Sequence, residues 1–187
     1  MAALLSQSHP MGVVRPLDAA LAPTFEAIYQ EHAPTVLRWV RRLAGPGADV
    51  DDLGQEVFLR VHRSLPAFRG ESQVRTWLYR IVVRVVMRHR QRRMPMAQED
   101  DARPSPRLSP GLSPEDELGA REAEAILYRA LDHLDPRQRA LLVAFELEEL
   151  TGTEIAEALG IKRSTLWVRL HRARLALQKE LELLHVR

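Results

Sequence analysis

Apolar residues recur at three- and four-residue steps in seven segments of the chain, a pattern that predicts helices. The segments cover about residues 24–44, 49–64, 73–93, 114–133, 136–147, 153–159 and 165–184. Residues 81–86 alone would also suit a buried strand, but the helical period around them holds over about five turns, which is too long for one strand. The expected fold class is all-α, with two small helical domains joined by a flexible, proline-rich and acidic linker.

Two stretches without a helical period divide the chain. Residues 1–23 carry several helix breakers, which indicates a mobile leader. Residues 95–118 hold repeated prolines and two acidic triplets, so they are expected to form the linker between a first domain at 24–94 and a second at 119–187. Inside the first predicted helix, Pro34 is expected to kink or split the helix because proline removes one backbone hydrogen bond.

Residues 153–174 have the pattern of a short helix, a tight turn and a second, basic helix. Gly160 closes the first helix, because glycine enters the left-handed conformation without steric cost, and Ser164 or Thr165 can cap the second. No acid occurs from residue 161 to 179. The pattern predicts a helix-turn-helix whose cationic second helix enters a DNA major groove. Its apolar stripe leaves five side chains pointing outward: Thr165, Trp167, Val168, Arg169 and Arg172.

The predicted helix at 73–93 is strongly cationic on one side. Arg80, Arg84, Arg88 and Arg92 are spaced by four residues, and residues 75–98 include seven arginines and no acid. An ordinary solvated face would intersperse acids, because like charges four residues apart destabilise a helix. The pattern favours binding of a polyanion; the alternative is an internal partner, the acidic linker folded back on this helix.

The predicted helix at 49–64 gives a weaker indication of a binding role. Its buried apolar stripe lies opposite a polar face that includes Gln55, Glu56, Arg60 and Arg63. Patterning alone indicates an ordinary solvated face there.

Composition narrows the classes of function. The 187 residues include no cysteine, which excludes disulfides, zinc–thiolate sites and thiol catalysis, and the seven histidines are too scattered to suggest a metal site. No phosphate-cradling glycine loop or catalytic dyad is evident, so neither a cofactor nor enzymatic activity is expected. Neither a signal peptide nor a membrane-spanning run is evident, and the chain is expected to be cytoplasmic, without membrane insertion.

Several motifs, in order, resemble the bacterial sigma factors of the extracytoplasmic-function (ECF) group. In the first predicted domain they are the run at 52–61, DLGQEVFLRV, then Phe68-Arg69-Gly70 and the run at 76–81, TWLYRI. In the second they are residues 134–139, 154–156 and 164–174. The resemblance covers about residues 24–93 and 125–184, most of the chain. It implies a transcription initiation factor that binds core RNA polymerase and promoter DNA and has an anti-sigma factor as a further partner.

The resemblance also implies roles for individual residues. Candidate contacts with core polymerase are Asp52, Gln55, Glu56, Leu59, Arg60 and Arg63. Candidate contacts with the minus-ten element are Phe68, Arg69, Trp77, Arg80, Arg84, Arg88 and Arg92. Candidate contacts with the minus-35 element are Arg163, Ser164, Thr165, Trp167, Val168, Arg169, Arg172 and Arg174. Among them, Trp77 suits either stacking on an unpaired base or a place in the core.

Two positions depart from the pattern of the group. Members usually carry asparagine at the position of Arg84 and often aspartate at that of Arg88, and a long cation at either position binds any phosphate as well as guanine. The specificity for the minus-ten element therefore does not carry over. Two alternatives stay open: a conventional helix-turn-helix regulator that occupies an operator, and a sigma-like protein that binds partners without promoter activity.

Overall fold

The computed structural model describes residues 23–93 and 114–185, and within them every regular element is helical. The predicted leader up to residue 22 and the linker residues 95–113 lie outside this part. The expected all-α fold is confirmed, and residues 81–86 lie in a helix, not a strand. The α-helices are α1 (Phe25–Ala44), α2 (Val50–Ser64), α3 (Val74–Arg93), α4 (Pro114–Asp132), α5 (Pro136–Leu142), α6 (Gly152–Leu159) and α7 (Arg163–His185).

Helices α1, α2 and α3 pack against one another. Local side chains fix where the first two begin: Thr24 Oγ1 accepts a hydrogen bond from the Ala27 amide (3.2 Å), and Asp49 Oδ1 accepts from the amides of Asp51 (3.0 Å) and Asp52 (2.9 Å). A short 3₁₀ turn, Leu65–Ala67, follows α2. The apolar stripes predicted for the three helices form their common core, with Ile28, Val36, Val40, Leu53, Val57, Val61, Leu78 and Val82 all buried.

Helix α7 is the element against which the second half packs, since it contacts α4, α5 and α6. Asp135 caps α5 by accepting from the Arg137 amide (2.8 Å), and Pro136 occupies the first turn, where its missing N–H costs nothing. The predicted helix at 136–147 continues from α5 into one wide turn of π-helix, Val143–Leu147. Glu148 and Glu149 follow this turn, and Glu149 has a positive φ of 52°.

Three expectations about helix boundaries need correction. α1 is not split at Pro34, because apolar residues on both sides of the proline pack into the same core. α4 begins at Pro114, as the helical segment predicted at 114–133 does, so residues 114–118 are helical and do not belong to the linker predicted at 95–118; proline is tolerated in a first turn. α7 begins at Arg163, and the amides of Thr165 (2.9 Å) and Leu166 (3.1 Å) donate to the Lys162 carbonyl, so Ser164 and Thr165 lie inside the first turn and do not cap it.

The two halves of the chain share one core. α6 packs on α3, and α5 contacts both α1 and α3. At this junction the Tyr79 hydroxyl donates to the Ala140 carbonyl (2.8 Å), and burial, together with the charge of Glu148, raises the pKa of this phenol. Arg139, 1% exposed, donates to the Arg42 carbonyl (2.7 Å) and pairs with Asp132. Polar groups from both halves are therefore paired where the halves meet.

Candidate nucleic-acid interface

The helix-turn-helix predicted at 153–174 forms as expected. Thr151 and Glu154 make a capping box, with the Thr151 amide donating to Glu154 Oε2 (2.8 Å) and the Glu154 amide to Thr151 Oγ1 (3.3 Å). Gly160 ends α6 in the left-handed conformation, with φ 64° and ψ 39°. Leu166 and Leu170 lie on the inner side of α7 and are buried. Most other residues in the first turns of α7 therefore face solvent.

The face of α7 predicted to contact the minus-35 element is open. Trp167 is 49% exposed and Val168 53% exposed, although both carry large apolar side chains. Thr165 is half-buried. The other predicted residues on this face are exposed: Arg163, Ser164, Arg169, Arg172 and Arg174. The eight predicted residues thus all lie on α7, next to a turn, and seven of them are exposed.

Two of these eight residues also have contacts within the protein. Arg174 forms an ion pair with Glu146 (2.6 Å) and lies over the Phe145 ring, with Cζ 5.3 Å from the ring centroid. Trp167 meets the same ring edge-to-face at 5.7 Å. These contacts hold the first turns of α7 against the π-helical turn. Arg174 is therefore less available to DNA than Arg169 and Arg172, which make no ion pair with the described residues.

The cationic side of α3 is divided into two parts. Arg84, Arg88 and Arg92 are exposed, and among residues 23–93 and 114–185 none of them has an ion-pair partner. Arg80 differs, because its guanidinium donates to the Glu157 carboxylate (3.0 Å) and to the Glu157 carbonyl (3.1 Å) at the end of α6. The four predicted arginines therefore do not present one continuous surface.

The aromatic pair before and within α3 is largely covered. Trp77 is 9% exposed, and its ring lies 4.8 Å from that of the half-buried Phe68. Arg69 beside them is exposed, and Gly70 has a positive φ of 69° that lets the loop turn back toward α3. Of the two roles predicted for Trp77, this burial favours a place in the core.

The face of α2 predicted to contact polymerase is accessible. Asp52, Gln55 and Arg63 are exposed, and Leu59 is 57% exposed although it is apolar. Glu56 and Arg60 are half-buried and form an ion pair one turn apart (3.1 Å). The six predicted residues lie along the outer side of one helix whose other side holds the core.

Sequence reasoning missed one polar cluster, which we call the Glu148 cluster: Glu148 with Arg38, Arg42 and Arg75. Oxygens of the Glu148 carboxylate lie 3.0 Å from Arg38 Nη2, 2.5 Å from Arg42 Nη1 and 3.7 Å from Arg75 Nη2. Arg75 also donates to the Glu148 carbonyl (2.6 Å), and only 2% of the Glu148 side chain is exposed. Three cations of the first half thus meet one buried carboxylate of the second.

The arginines of this cluster control the ionisation of Glu148. Burial by itself would raise the pKa of the carboxyl group, since a charge is costly away from water. The hydrogen bond from Arg38 and the charges of Arg38 and Arg42 outweigh burial, so the pKa of Glu148 lies below its ordinary value. The carboxylate is therefore charged at neutral pH. Nothing in the sequence pattern marks it, because it stands in a run with two other glutamates, Glu146 and Glu149.

No helix in the part of the chain that the structure describes is long and apolar enough to cross a membrane. Residues 23–93 and 114–185 also contain no group of three or more His, Cys, Asp or Glu side chains placed to hold a metal ion.

Two family models match the two halves of the chain. Residues 28–94 match Sigma-70 region 2, which takes in α2 and α3. Residues 124–177 match Sigma-70 region 4, which takes in the helix-turn-helix. Both matches cover the helices on which the predicted DNA and polymerase contacts lie.

Two similar proteins are named as ECF RNA polymerase sigma factors. The chain is 31% identical over 145 residues to the ECF RNA polymerase sigma-E factor of Escherichia coli K12, covering 73% of this chain and 76% of that protein. It is 34% identical over 160 residues to the ECF RNA polymerase sigma factor SigE of Mycolicibacterium smegmatis, covering 84% of this chain and 61% of the length of that relative.

Solved structures agree on the fold. The sigma factor RpoE from Bartonella quintana, in complex with the anti-sigma factor NepR, matches with a TM-score of 0.63 and 19% identity over 84% of this chain and 96% of that one. CnrH, in complex with the cytosolic domain of CnrY, matches with a TM-score of 0.60 and 23% identity over 84% and 87%. With regions 2 and 4 both matched and curated relatives above 30% identity, the chain belongs to the ECF RNA polymerase sigma factors, the initiation factors that direct polymerase to promoters.

Proposed function

We propose that three surfaces of this chain have separate binding roles in transcription initiation. The outer side of α2 binds core RNA polymerase, α7 enters the major groove of the minus-35 element, and α3 with the loop before it holds the opened minus-ten element. The observation that carries the proposal is the exposure of α7, since seven of the eight predicted DNA contacts are exposed on this second helix of a helix-turn-helix. The chain is a regulatory protein that acts in the cytoplasm and performs no catalysis itself.

The geometry of α7 supports recognition by both charge and shape. Arg169 and Arg172 are exposed and unpaired among the described residues, so they are available to phosphates or to guanine edges. Thr165, Trp167 and Val168 add a hydroxyl and apolar surface near the start of the helix, which is the part of a recognition helix that meets base edges.

The polymerase surface is proposed from accessibility and charge. Asp51 and Asp52 lie in the first turn of α2, where the helix dipole favours acids, and both are exposed. An acidic helix end with an exposed leucine farther along suits a basic partner that also offers an apolar patch. We also propose an anti-sigma factor as a partner, since the similar structure of RpoE contains the anti-sigma factor NepR and that of CnrH contains the cytosolic domain of CnrY.

Domain limits follow from the same reasoning. We propose a first functional unit at 24–94 and a second at 119–187, with the connection between them allowing the two promoter elements to be engaged together. The family models begin and end close to these limits, at 28–94 and 124–177.

Run-off transcription with purified core polymerase on fragmented genomic DNA tests the proposal. The chain is expected to support initiation at a discrete set of start sites, and sequencing of the transcripts then identifies the promoters. Leu59→Ala together with Gln55→Ala should weaken binding to core polymerase, whereas Gln30→Ala, at an exposed position of α1, serves as a matched control. A chain that binds core but gives no defined start sites would refute the role in promoter selection.

A further inference from the structure

The middle of the outer side of α7 is apolar. Because a helix turns by about 100° per residue, a residue two positions away from a buried one lies on the opposite side. Val168 stands two positions after Leu166 and two before Leu170, both of which are buried. Ser164 and Arg172, one turn before and one turn after Val168, are exposed as it is. Val168 therefore lies at the centre of the surface that α7 presents to solvent.

Trp167 lies next to Val168 and is held by two other elements. Its ring meets Phe145 of the π-helical turn edge-to-face. At the start of α6, a β-carbon at Gly152 would lie 3.2 Å from Trp167 Cζ2, so the ring packs closely on the backbone there. The residue nevertheless stays about half exposed. A side chain held in this way loses little conformational freedom when it contacts a ligand.

The charges around this apolar pair, Trp167 and Val168, indicate what it contacts. Arg169 and Arg172 flank it, both exposed, and no acid occurs from residue 161 to 179. An apolar protein partner would have to bury these cations at a high cost, whereas DNA phosphates neutralise them. Among the groups that the bases expose in the major groove, the C5-methyl group of thymine is the apolar one. The apolar pair therefore matches thymine.

We propose that Val168 and Trp167 read thymine methyl groups in the minus-35 element, so that this chain selects upstream elements with thymine at defined positions. The proposal rests on the function proposed above and names the base chemistry that α7 recognises. Both residues lie in the second turn of α7, in the N-terminal part of a recognition helix that contacts base edges. Arg169 and Arg172 supply affinity through phosphates, and the apolar pair supplies discrimination between bases.

Duplexes in which deoxyuridine replaces thymidine test the proposal, because the two nucleosides differ only in the C5-methyl group. The duplex carries the minus-35 sequence of a promoter identified by run-off transcription, and one thymidine is replaced at a time. Wild type should lose about fourfold in affinity at one or more positions, the change expected when one apolar carbon loses its contact. The slope of log affinity against log salt should stay the same, since a methyl contact releases no counterions.

Protein variants identify the side chain that contacts each methyl group. Val168→Ser and Trp167→Ala should each bind the thymidine duplex more weakly and lose the response to deoxyuridine at the position that the replaced side chain reads. Leu183→Ala is the matched control, at a similarly exposed apolar residue of the same helix. It lies about 22 Å farther along α7 than Val168 and should keep the wild-type response at every position.

The fluorescence of Trp167 gives a readout that does not depend on affinity. The chain has three tryptophans, and since Trp39 and Trp77 are buried, acrylamide quenches mainly Trp167. A saturating concentration of the minus-35 duplex should lower this quenching, because the bases cover the exposed part of the ring. Quenching that stays unchanged in the saturated complex would overturn the role assigned to Trp167.

Two results of the duplex experiment would overturn the proposal as a whole. The first is a wild type that loses no affinity at any deoxyuridine position, which would assign the apolar pair to a protein partner. The second is a loss that persists undiminished in both Val168→Ser and Trp167→Ala, which would assign the methyl contact to another residue. A wild type that binds none of the duplexes would instead refute the function proposed for α7.

Discussion

Helices α3 and α7 are similar in length and composition, but they differ in how much of their surface is buried. Each is about twenty residues long and rich in arginine, and neither has an acid in its first turn. α3 lies between α1, α2, α5 and α6, so Thr76–Tyr79, Ile81–Val83, Val85 and Val86 are all buried. α7 buries a narrow stripe, Leu166, Leu170 and Ala173, and leaves most other positions exposed.

The difference shows that cationic composition does not by itself define a binding surface. Most arginines of α7 have no ion-pair partner among the described residues, so they are available to contact a DNA groove. On α3 one arginine is bound by another helix, and only the line through Arg84, Arg88 and Arg92 stays open. The number of packed neighbours, rather than the charge, decides which helix can meet DNA directly.

The largest expected effect is on the free energy of unfolding, and it tests the difference in burial between α3 and α7. Leu78→Ala in α3 removes a side chain that is fully buried, and it should lower the free energy of unfolding by about 2–5 kcal/mol through lost contacts and a cavity. Leu175→Ala in α7, at a side chain that is 53% exposed, should change it by less than about 0.5 kcal/mol. Urea unfolding followed by circular dichroism measures both. Similar losses would mean that the two helices are not packed differently.

The next effect tests the open face of α7. The double variant Arg169→Ala and Arg172→Ala should weaken binding of the minus-35 duplex by about tenfold to a hundredfold, and the slope of log affinity against log salt should fall by about two. Lys179→Ala is the matched control, an exposed cation farther along the same helix. Titrations at several salt concentrations give both quantities. A slope equal to that of the control would exclude the two arginines as phosphate contacts.

A smaller effect separates the two parts of the α3 surface. Arg84→Ala removes an exposed cation and should weaken binding of the minus-ten element by the polymerase complex about twofold to fivefold. Arg80→Ala should weaken it less, because the Arg80 guanidinium is bound to Glu157. Binding of a minus-ten DNA probe by the complex of each variant with core polymerase measures both. An equal loss in the two variants would show that the contact with Glu157 does not keep Arg80 from DNA.

Local features of the sequence were sufficient to predict most helices and the whole outer face of α7. The spacing of Leu166 and Leu170 fixes which side of α7 is buried, and Gly160 and the Thr151–Glu154 box fix the turn and the start of α6. Such features act within a few residues of one another. They therefore do not depend on distant parts of the chain, and they can be recognised from the sequence.

The contact between the halves could not be predicted in this way. Glu148 and Arg38 are separated by 110 positions, and each looks like an ordinary surface charge in its local pattern. The ion pair of Arg80 with Glu157 has the same origin, because it depends on where α6 lies and not on the period of α3. A sequence read segment by segment therefore groups Arg80 with Arg84, Arg88 and Arg92, although only the last three are exposed and without an ion pair among the described residues.

The smallest expected effect is the response of stability to pH, to which the Glu148 carboxylate contributes. It faces the guanidinium groups of Arg38, Arg42 and Arg75, which stay protonated, and the Tyr79 phenol, whose pKa is raised. Since the pKa of Glu148 is below its ordinary 4.5, the carboxylate stabilises the folded chain above that value and loses its contribution only as the pH falls through the lower, folded value. The difference in the free energy of unfolding between wild type and Glu148→Gln, measured by urea unfolding, should therefore stay constant from about pH 8 to about pH 6 and shrink only in stronger acid. A change in this difference near neutrality would show that a histidine, and not this carboxylate, sets the response, because histidine is the side chain whose ordinary pKa lies there.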